Sequence, residues 1–281
     1  DAVFGLTFSA DGSRYAYTAK VGEQYTMVID GKESGRHPVV GGLVFSNDGK
    51  RVAYVVEPAG ADGKPGGKQQ MIYDDGTGAK AFQPVDGIGT VAFSPPDGRR
   101  VAISMQGADK KWQVFVDGKA SAKYDAVGGL LFSPDGKRLA ALAGTLGPGG
   151  GTRGSQQFLV VDGKELPPAD VIAGAAWSPE NTRVGYIAFV GGQRWLTVED
   201  RRLGPGSFFS FSPDGRHVAH AIPVAGGSST KAVLAVDGGK VPGAEYDAFL
   251  LGSRFVWEGP KTARVIAGRG HAVYLARVTV E

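Results

Sequence analysis

The sequence predicts an all-β protein, a seven-bladed β-propeller made of four-stranded antiparallel blades. Three observations lead to this fold class. A short phrase occurs seven times, its copies follow one another at a period of roughly 40 residues, and a second Asp-Gly signal recurs between the copies. Short strands and Gly-rich turns repeated at that period are typical of β-propellers.

The repeated phrase is clearest at Phe132-Ser133-Pro134-Asp135-Gly136. Its proline presets φ and its glycine accepts a positive φ, so the phrase predicts a tight turn after a short apolar strand. Steps between copies range from 34 residues (177 to 211) to 48 residues (45 to 93). The aromatic residues that open the copies are Phe8, Phe45, Phe93, Phe132, Trp177, Phe211 and Trp257.

The fourth repeat shows how one blade is expected to fold. Residues 129–132 form the innermost strand, residues 138–142 the second and residues 157–161 the third. Asp162-Gly163 then predicts a two-residue hairpin, and residues 164–171 give a weaker outer strand. The second strands are apolar at almost every position, which predicts that blades pack on both of their faces. Pairs of glycines, such as Gly128-Gly129, are expected where innermost strands crowd at the ring axis.

The repeats predict a single propeller domain over residues 1–281. Its blades are expected at about 4–40, 41–87, 88–127, 128–172, 173–206, 207–249 and 250–281 plus 1–3. Asp1-Ala2-Val3 occupies the same offset as Asp125-Ala126-Val127 before an aromatic residue, an offset that we interpret as the tail of an outer strand. We therefore expect the N-terminus to close the last blade as a truncated strand.

Composition excludes several classes of partner and of chemistry. The net charge is only +3 and no long basic block occurs, so neither nucleic acid nor an anionic membrane is indicated as a partner. The chain has no Cys, which rules out disulfides, thiolate catalysis and Cys-ligated metal. No apolar run approaches the roughly 20 residues that span a bilayer, so no membrane insertion is expected.

The phrase Ser133-Pro134-Asp135-Gly136-Lys137-Arg138, followed by Val160-Val161-Asp162-Gly163-Lys164, resembles the TolB-type, WD-repeat-like propeller repeats. The resemblance extends over essentially the whole chain and is more specific for the repeat than for a function. It implies a periplasmic or extracellular protein, because such repeats occur in periplasmic interaction propellers and in gating propellers of prolyl-oligopeptidase-like peptidases. The extra N-terminal domain of TolB is missing, so no TolB partner-binding residue is transferred.

The sequence indicates no catalytic residue and no cofactor, and it leaves open a metal ion at the ring axis. There is no Gly-x-Ser-x-Gly elbow of a serine hydrolase. Gly149 to Gly154 matches Gly-x-Gly-x-x-Gly by letter, but it lies between two predicted antiparallel strands rather than before a helix. His220 lies nine residues after its aromatic, as do Tyr17, Tyr54 and Tyr186, which favours a packing role over a ligand role.

Arginine recurs six residues after the aromatic, at Arg14, Arg51, Arg138 and Arg183, with Arg100 shifted by the extra proline of its phrase. A ring of positive charge for an anionic ligand is one interpretation. The other is a structural pair, in which each Arg braces the Asp or the carbonyl groups of a nearby turn. Its presence in nearly every blade favours the structural interpretation.

Insertions distinguish one face of the predicted propeller, the face that carries the loops between second and third strands. They lie at 58–70, 144–156 and 223–231, in blades two, four and six. Insertions confined to one face often mark a binding face, although surface loops also tolerate insertions without function. The candidate partner contacts on this face are Lys64, Lys68, Lys110, Lys111, Arg153 and Arg194.

The sequence therefore predicts a non-catalytic binding or scaffold module, monomeric and part of a larger bacterial protein. Its expected partner is a protein or peptide, with an acidic or glycan surface as a further option. The alternative is an enzymatic propeller, a lyase or hydrolase with its site at the channel mouth, or the gate of a peptidase. Carboxylate, His or Tyr side chains clustered at the channel mouth would favour that alternative.

Overall fold

A computed structural model describes residues 2–74, 78–151, 154–224, 231–249 and 254–280. Within these residues the chain is all-β, and its one helical segment is the short 3-10 turn Pro148–Gly150. The strands form seven four-stranded antiparallel sheets. The predicted fold class, a seven-bladed β-propeller, is confirmed.

The first four sheets each contain four strands that pair in chain order. Sheet 1 has β1 (Ala2–Phe8), β2 (Tyr15–Val21), β3 (Gln24–Ile29) and β4 (Lys32–Glu33). Sheet 2 has β5 (Val39–Phe45), β6 (Val52–Glu57), β7 (Gln70–Asp74) and β8 (Ala79–Ala81). Sheet 3 has β9 (Gly87–Phe93), β10 (Val101–Gln106), β11 (Trp112–Val116) and β12 (Lys119–Ala120). Sheet 4 has β13 (Ala126–Phe132), β14 (Leu139–Thr145), β15 (Gln156–Val161) and β16 (Lys164–Glu165).

The remaining sheets follow the same plan, with one interruption in the last. Sheet 5 has β17 (Val171–Trp177), β18 (Val184–Val190), β19 (Gln193–Val198) and β20 (Arg201–Pro205). Sheet 6 has β21 (Phe209–Phe211), β22 (Val218–Pro223), β23 (Ala232–Val236) and β24 (Gly239–Tyr246). Sheet 7 has β25 (Ala248–Phe249), β26 (Val256–Trp257), β27 (Thr262–Arg269) and β28 (Ala272–Thr279), in which β25 and β26 both pair with β27.

By internal packing the chain divides into two compact units. Unit 1 comprises Asp1–Thr145 and Val160–Lys164, and unit 2 comprises Leu146–Leu159 and Glu165–Glu281. Sheets 1, 2 and 3 lie in unit 1, together with β13, β14 and residues 160–164 of sheet 4.

The N-terminal residues belong to the first sheet, whereas the sequence predicted that they would close the last blade. Ala2 and Val3 pair with Lys20 and Ala19 of β2, while the described pairings of β28 are with β27. The reason is the length of the innermost strands. β1, β5, β13 and β17 are each seven residues long and begin six residues before the aromatic. Residues 2 and 3 are therefore the start of an innermost strand and not the tail of an outer one.

The glycines of the innermost strands are also explained differently from the crowding that the sequence suggested. Space around Gly41 and Gly128 is open, since a Cβ added to either would meet nothing within 4 Å. Their successors Gly42 and Gly129 have φ values of 64° and 51° at a register shift of the strand pair. A bulge in the left-handed region, which only glycine enters without strain, thus accounts for the second glycine of each pair.

Within each unit the core lies between neighbouring sheets, as the apolar second strands predict. In β6, β10 and β14, every second residue points toward the preceding sheet, beginning with the residue that pairs with the aromatic. We call the packing of Ala16, Met27, Tyr54 and Val56 between sheets 1 and 2 the first junction. We call the packing of Ala102, Val114, Phe132, Leu139 and Ala141 between sheets 3 and 4 the third junction.

Candidate ligand-binding pocket

The repeated arginine fastens one sheet to the next at the turn end of the first and third junctions. Arg14 shows the arrangement in full. Its Nε donates to Asp30 Oδ2 at 2.8 Å, and its Nη1 donates to the carbonyl oxygens of Gly49 and Lys50 at 3.1 and 3.0 Å. Its guanidinium carbon also lies 5.7 Å from the ring centroid of Phe45, the aromatic of the next sheet. One side chain therefore holds its own hairpin and the following turn together.

Arg100 repeats these contacts at the third junction. Its Nε lies 2.8 Å from Asp117 Oδ2, its Nη1 donates to the carbonyl oxygens of Gly136 (3.1 Å) and Lys137, and it lies over the ring of Phe132. The structural interpretation of the arginine column is thus confirmed by contacts. The same turns also touch through their glycines, since a Cβ on Gly136 would lie 2.1 Å from the carbonyl oxygen of Pro95.

His217 takes the place of the arginine in sheet 6. Its Nδ1 lies 2.7 Å from Asp237 Oδ2, and the other oxygen of that carboxylate accepts the backbone N–H of Val218 at 2.8 Å. A His–Asp pair at this distance has the geometry of the His–Asp part of a Ser–His–Asp catalytic triad. Its equivalence to the Arg14–Asp30 and Arg100–Asp117 pairs assigns it to the fastening of a hairpin instead.

A cavity of about 400 Å³ opens at the third junction, beside β11, β12 and β14. Its volume lies in the range of roughly 300–1,000 Å³ that is usual for small-molecule sites. Its walls are mainly apolar, and polar groups stand at the rim. The lining residues are Arg100, Val114, Val116, Asp117, Lys119, Ala120, Ser121, Tyr124, Leu139, Ala141, Ala143, Val160, Asp162 and Gly163.

Two alanines of β14 leave this space. Strand register makes Ala141 equivalent to Tyr54, because Phe132 pairs with Leu139 as Phe45 pairs with Val52. Ala143 is equivalent in the same way to Val56. At the first junction Tyr54 is 4% exposed and Val56 is 0% exposed, so both side chains fill the interior that the alanines leave open.

Sequence reasoning missed the two alanines although a signal was present. Ala141 follows Phe132 by nine residues, the offset that Tyr17, Tyr54, Tyr186 and His220 occupy as a packing column. A missing large side chain in a column of large ones is a sign of a cavity. That sign is readable from the spacing of the residues alone.

The Ser121 hydroxyl is one of the polar groups that line the pocket. It accepts the backbone N–H of Val114 at 2.9 Å and donates to the carbonyl oxygen of Ala122 at 2.7 Å. The rim carboxylates are paired, Asp117 with Arg100 and Asp162 with Arg138, whose Nε lies 2.7 Å from Asp162 Oδ2. The pocket thus offers apolar surface, the side chains of Ser121 and Tyr124, and Lys119 beside two carboxylates that are each paired with an arginine.

Three of the four predicted basic contacts in unit 1 lie beside acidic partners. Asp86 receives both Lys68 and Lys110, the latter at 2.9 Å between Nζ and Oδ2, and these hydrogen bonds lower the pKa of Asp86. Lys111 is paired with Asp125. Three of the six candidate cations are therefore neutralised locally, and their carboxylates come from the crossovers that lead into sheets 3 and 4.

The other three candidates differ from one another. Lys64 is exposed, and its backbone N–H donates to Asp62 Oδ1 at 3.1 Å. Arg194, in unit 2, lies 5.2 Å from the ring centroid of Phe189. Arg153 lies outside the described residues. The structure thus brings Lys68 and Lys110 together on Asp86 and gives the remaining candidates separate surroundings.

The insertion of sheet 2 is an ordered loop. Gly60 N–H donates to the carbonyl oxygen of Lys64 at 2.8 Å, Gly66 N–H donates to that of Pro58 at 3.0 Å, and Gly67 N–H bonds to a carboxylate oxygen of Glu57. These bonds make residues 58–67 a small hairpin of their own. Parts of the insertions of sheets 4 and 6 lie outside the described residues.

No group of three or more His, Asp or Glu side chains is placed to hold a metal ion within the residues that the structure describes. Among the same residues, no helix has both the length and the apolar character needed to cross a membrane.

Comparison with known proteins gives structural neighbours only. No family model and no curated protein matches the sequence. TolB from Acinetobacter baumannii is similar at 19% identity and a TM-score of 0.38, over 81% of this chain and 62% of TolB, so the chain spans less than two thirds of that protein.

A second neighbour is the β-propeller domain of the Trilobed protease from Pyrococcus furiosus. It is similar at 14% identity and a TM-score of 0.44, over 99% of this chain and 93% of that domain. Hydrazine synthase of Kuenenia stuttgartiensis is similar at 15% identity and a TM-score of 0.37, over 99% of this chain and 96% of that one. The assignment of this chain as a β-propeller rests on its own seven sheets.

Proposed function

We propose that the chain is a non-catalytic binding module whose ligand site is the pocket at the third junction. The observation that carries this proposal is the open space beside Ala141 and Ala143, at positions that Tyr54 and Val56 fill at the first junction. An apolar pocket of this volume, with the Ser121 hydroxyl in its lining and its two carboxylates paired with arginines, suits the binding of a small ligand or of a partner's side chain.

The proposed partner is a protein or peptide that inserts a side chain into the pocket, or a small molecule of similar shape. No cofactor is part of the proposal. From the TolB-type resemblance of the repeats, we further propose a periplasmic or extracellular location and a monomeric domain. Cell fractionation and light scattering of the purified chain, with 29.2 kDa expected for a monomer, test these two points.

A fragment screen followed by NMR tests the site. Neutral fragments of one or two rings are added to the full chain, and amide shifts are followed in β11, β12 and β14. We expect shifts centred on Val114, Ser121 and Ala141, and we expect every fragment to be recovered chemically unchanged. Ala143→Val, which restores the residue of the first junction, should weaken these shifts. Fragments that bind elsewhere, or that are converted to product, would refute the proposal.

A further inference from the structure

We infer that the pocket at the third junction takes a phenol group, either from a small phenolic molecule or from a tyrosine side chain of a partner. The inference rests on the proposed function and adds the chemical class of the ligand. It follows from the first junction, where the chain fills the equivalent space with its own tyrosine.

The two junctions have matching walls on the side of the preceding sheet. Ser34 Oγ accepts the backbone N–H of Met27 at 3.0 Å and donates to the carbonyl oxygen of Gly35 at 3.1 Å. Ser121 makes the same two bonds with Val114 and Ala122. Sheets 1 and 3 thus present a serine hydroxyl in the same local geometry to the sheet that follows.

At the first junction that hydroxyl has a phenol beside it. Tyr54 packs with Met27 and Val56, and burial raises the pKa of Tyr54, an effect that the neighbouring Ser34 side chain partly opposes. At the third junction Ala141 stands in place of Tyr54, and the serine equivalent to Ser34 lines an open pocket. The ring and hydroxyl that are missing there are those of a phenol.

The hydrogen bonds of Ser121 select a donor. A serine hydroxyl has one proton to donate and two acceptor lone pairs. Its proton is committed to the carbonyl oxygen of Ala122, and one lone pair accepts the N–H of Val114. The remaining lone pair requires a ligand O–H or N–H, so a phenol satisfies it, whereas an ether or a carboxylate does not.

The walls suit a ring of modest size. Val114 replaces Met27 and Ala143 replaces Val56, so the pocket is wider than one tyrosine needs, while Tyr124 occupies the position of His37 and narrows one side. The space that results accepts a phenol with a substituent para to its hydroxyl, as the side chain of tyrosine has.

The test compares three probes that share one ring. p-Cresol carries a donor, 4-methylanisole carries only an acceptor, and toluene carries neither. Titrations of the full chain, followed by the amide shifts of β11 and β14, should give p-cresol a Kd about tenfold lower than the other two. Equal binding of toluene and p-cresol would overturn the phenol inference and leave the pocket as a binding site. Binding of none of the three probes would overturn both proposals.

Two substitutions locate the effect. Ala141→Tyr supplies the chain's own phenol, and we expect it to raise the Kd of p-cresol at least tenfold without lowering the melting temperature. Ala61→Tyr, on the exposed loop of sheet 2, is its matched control and should leave the Kd unchanged. If the Ala141→Tyr protein does not fold, Ala143→Val replaces it and should also raise the Kd. Unchanged p-cresol binding in a folded pocket variant would overturn the location.

Ser121→Ala tests the hydrogen bond. We expect it to remove the preference for p-cresol over toluene while toluene binds as before. Ser34→Ala loses the same backbone bond in sheet 1 and should retain the preference. A preference that survives Ser121→Ala would overturn the assigned role of Ser121.

A final pair of titrations distinguishes the two sources of the phenol. Acetyl-Gly-Gly-Tyr-Gly-Gly-amide is compared with p-cresol on the unmodified chain. A peptide Kd equal to or below that of p-cresol supports a tyrosine of a protein partner, and binding of p-cresol alone supports a small phenolic ligand.

Discussion

The first and third junctions share the same contacts at their turn ends, but the interior of the first is filled and that of the third contains a cavity. Both are fastened at the turn end by an arginine that bonds its own hairpin Asp and the next turn, Arg14 in one and Arg100 in the other. Behind that fastening, Tyr54 fills the first junction, while Ala141 leaves a cavity of about 400 Å³ in the third. The fastening therefore does not require a filled interior.

The largest effect is expected from a substitution that makes the first junction resemble the third. Tyr54→Ala should cost about 3–5 kcal/mol in the free energy of unfolding, the range for truncating a buried ring, because the transfer free energy and the contacts around the cavity are both lost. Urea denaturation measures this loss. The variant should also acquire p-cresol binding beside Ser34. A cost below about 1 kcal/mol would show that the ring does not fill the junction, and the comparison would fail.

A pH titration tests another occupant of the same column, His220 of sheet 6. Burial lowers its pKa from 6.5 to about 4, and the charge of Asp237 opposes this only in part. Since the unfolded chain then binds the proton more readily, stability is fully present above pH 6.5 and falls as the pH drops from 6.5 to 4. The loss should be of the order of 3 kcal/mol.

His220→Tyr is the matched variant, because tyrosine stands at this offset in Tyr54 and Tyr186. Denaturation at several pH values between 7 and 4 gives the free energy of unfolding as a function of pH. This free energy should depend less on pH for the variant than for the unmodified chain. If the free energy of unfolding changes equally with pH in both proteins, His220 is not the group that takes up the proton.

Much of this structure could be read from the sequence, and the limits are physical. The phrase around Phe132 specifies turns and strand order locally, so the sheets and the arginine contacts follow from the repeat itself. Ala141 could have been found from its offset. The pairing of Lys68 and Lys110 with Asp86 could not, because it depends on how loops of different length fold back. The place of Ala2 and Val3 depended on strand length, which a repeat of turns does not specify.

Removing the fastening should have a smaller effect than removing the ring. Arg14→Ala breaks charge-assisted bonds to Asp30 and to the carbonyl oxygens of Gly49 and Lys50, and should cost about 1.5–3 kcal/mol. Arg99→Ala is the control, since Arg99 is 79% exposed and its ion pair is with Asp97 of its own turn. That variant should stay within about 0.5 kcal/mol of the original. Equal losses in thermal melts of the two variants would remove the special role of the column.

The smallest expected effect concerns the loops of sheets 2 and 3. Asp86→Asn releases Lys68 and Lys110 from their shared carboxylate and raises the net charge from +3 to +4. The variant should elute later from a cation exchanger and bind p-cresol as before. Weakened p-cresol binding would show that the loop charges and the pocket are coupled, although none of these three residues lines the pocket.

The glycine of each turn has a consequence for how such a chain can diversify. Because Gly136 lies against the backbone of the preceding turn, that position tolerates no side chain, while positions 141 and 143 lie deeper in the junction and away from that contact. Substitutions at positions such as 141 and 143 can therefore enlarge or fill the interior of a junction while the contact between the turns of neighbouring sheets is kept. A recognition site could be transplanted from one pair of sheets to another by exchanging a few side chains and leaving the backbone unaltered.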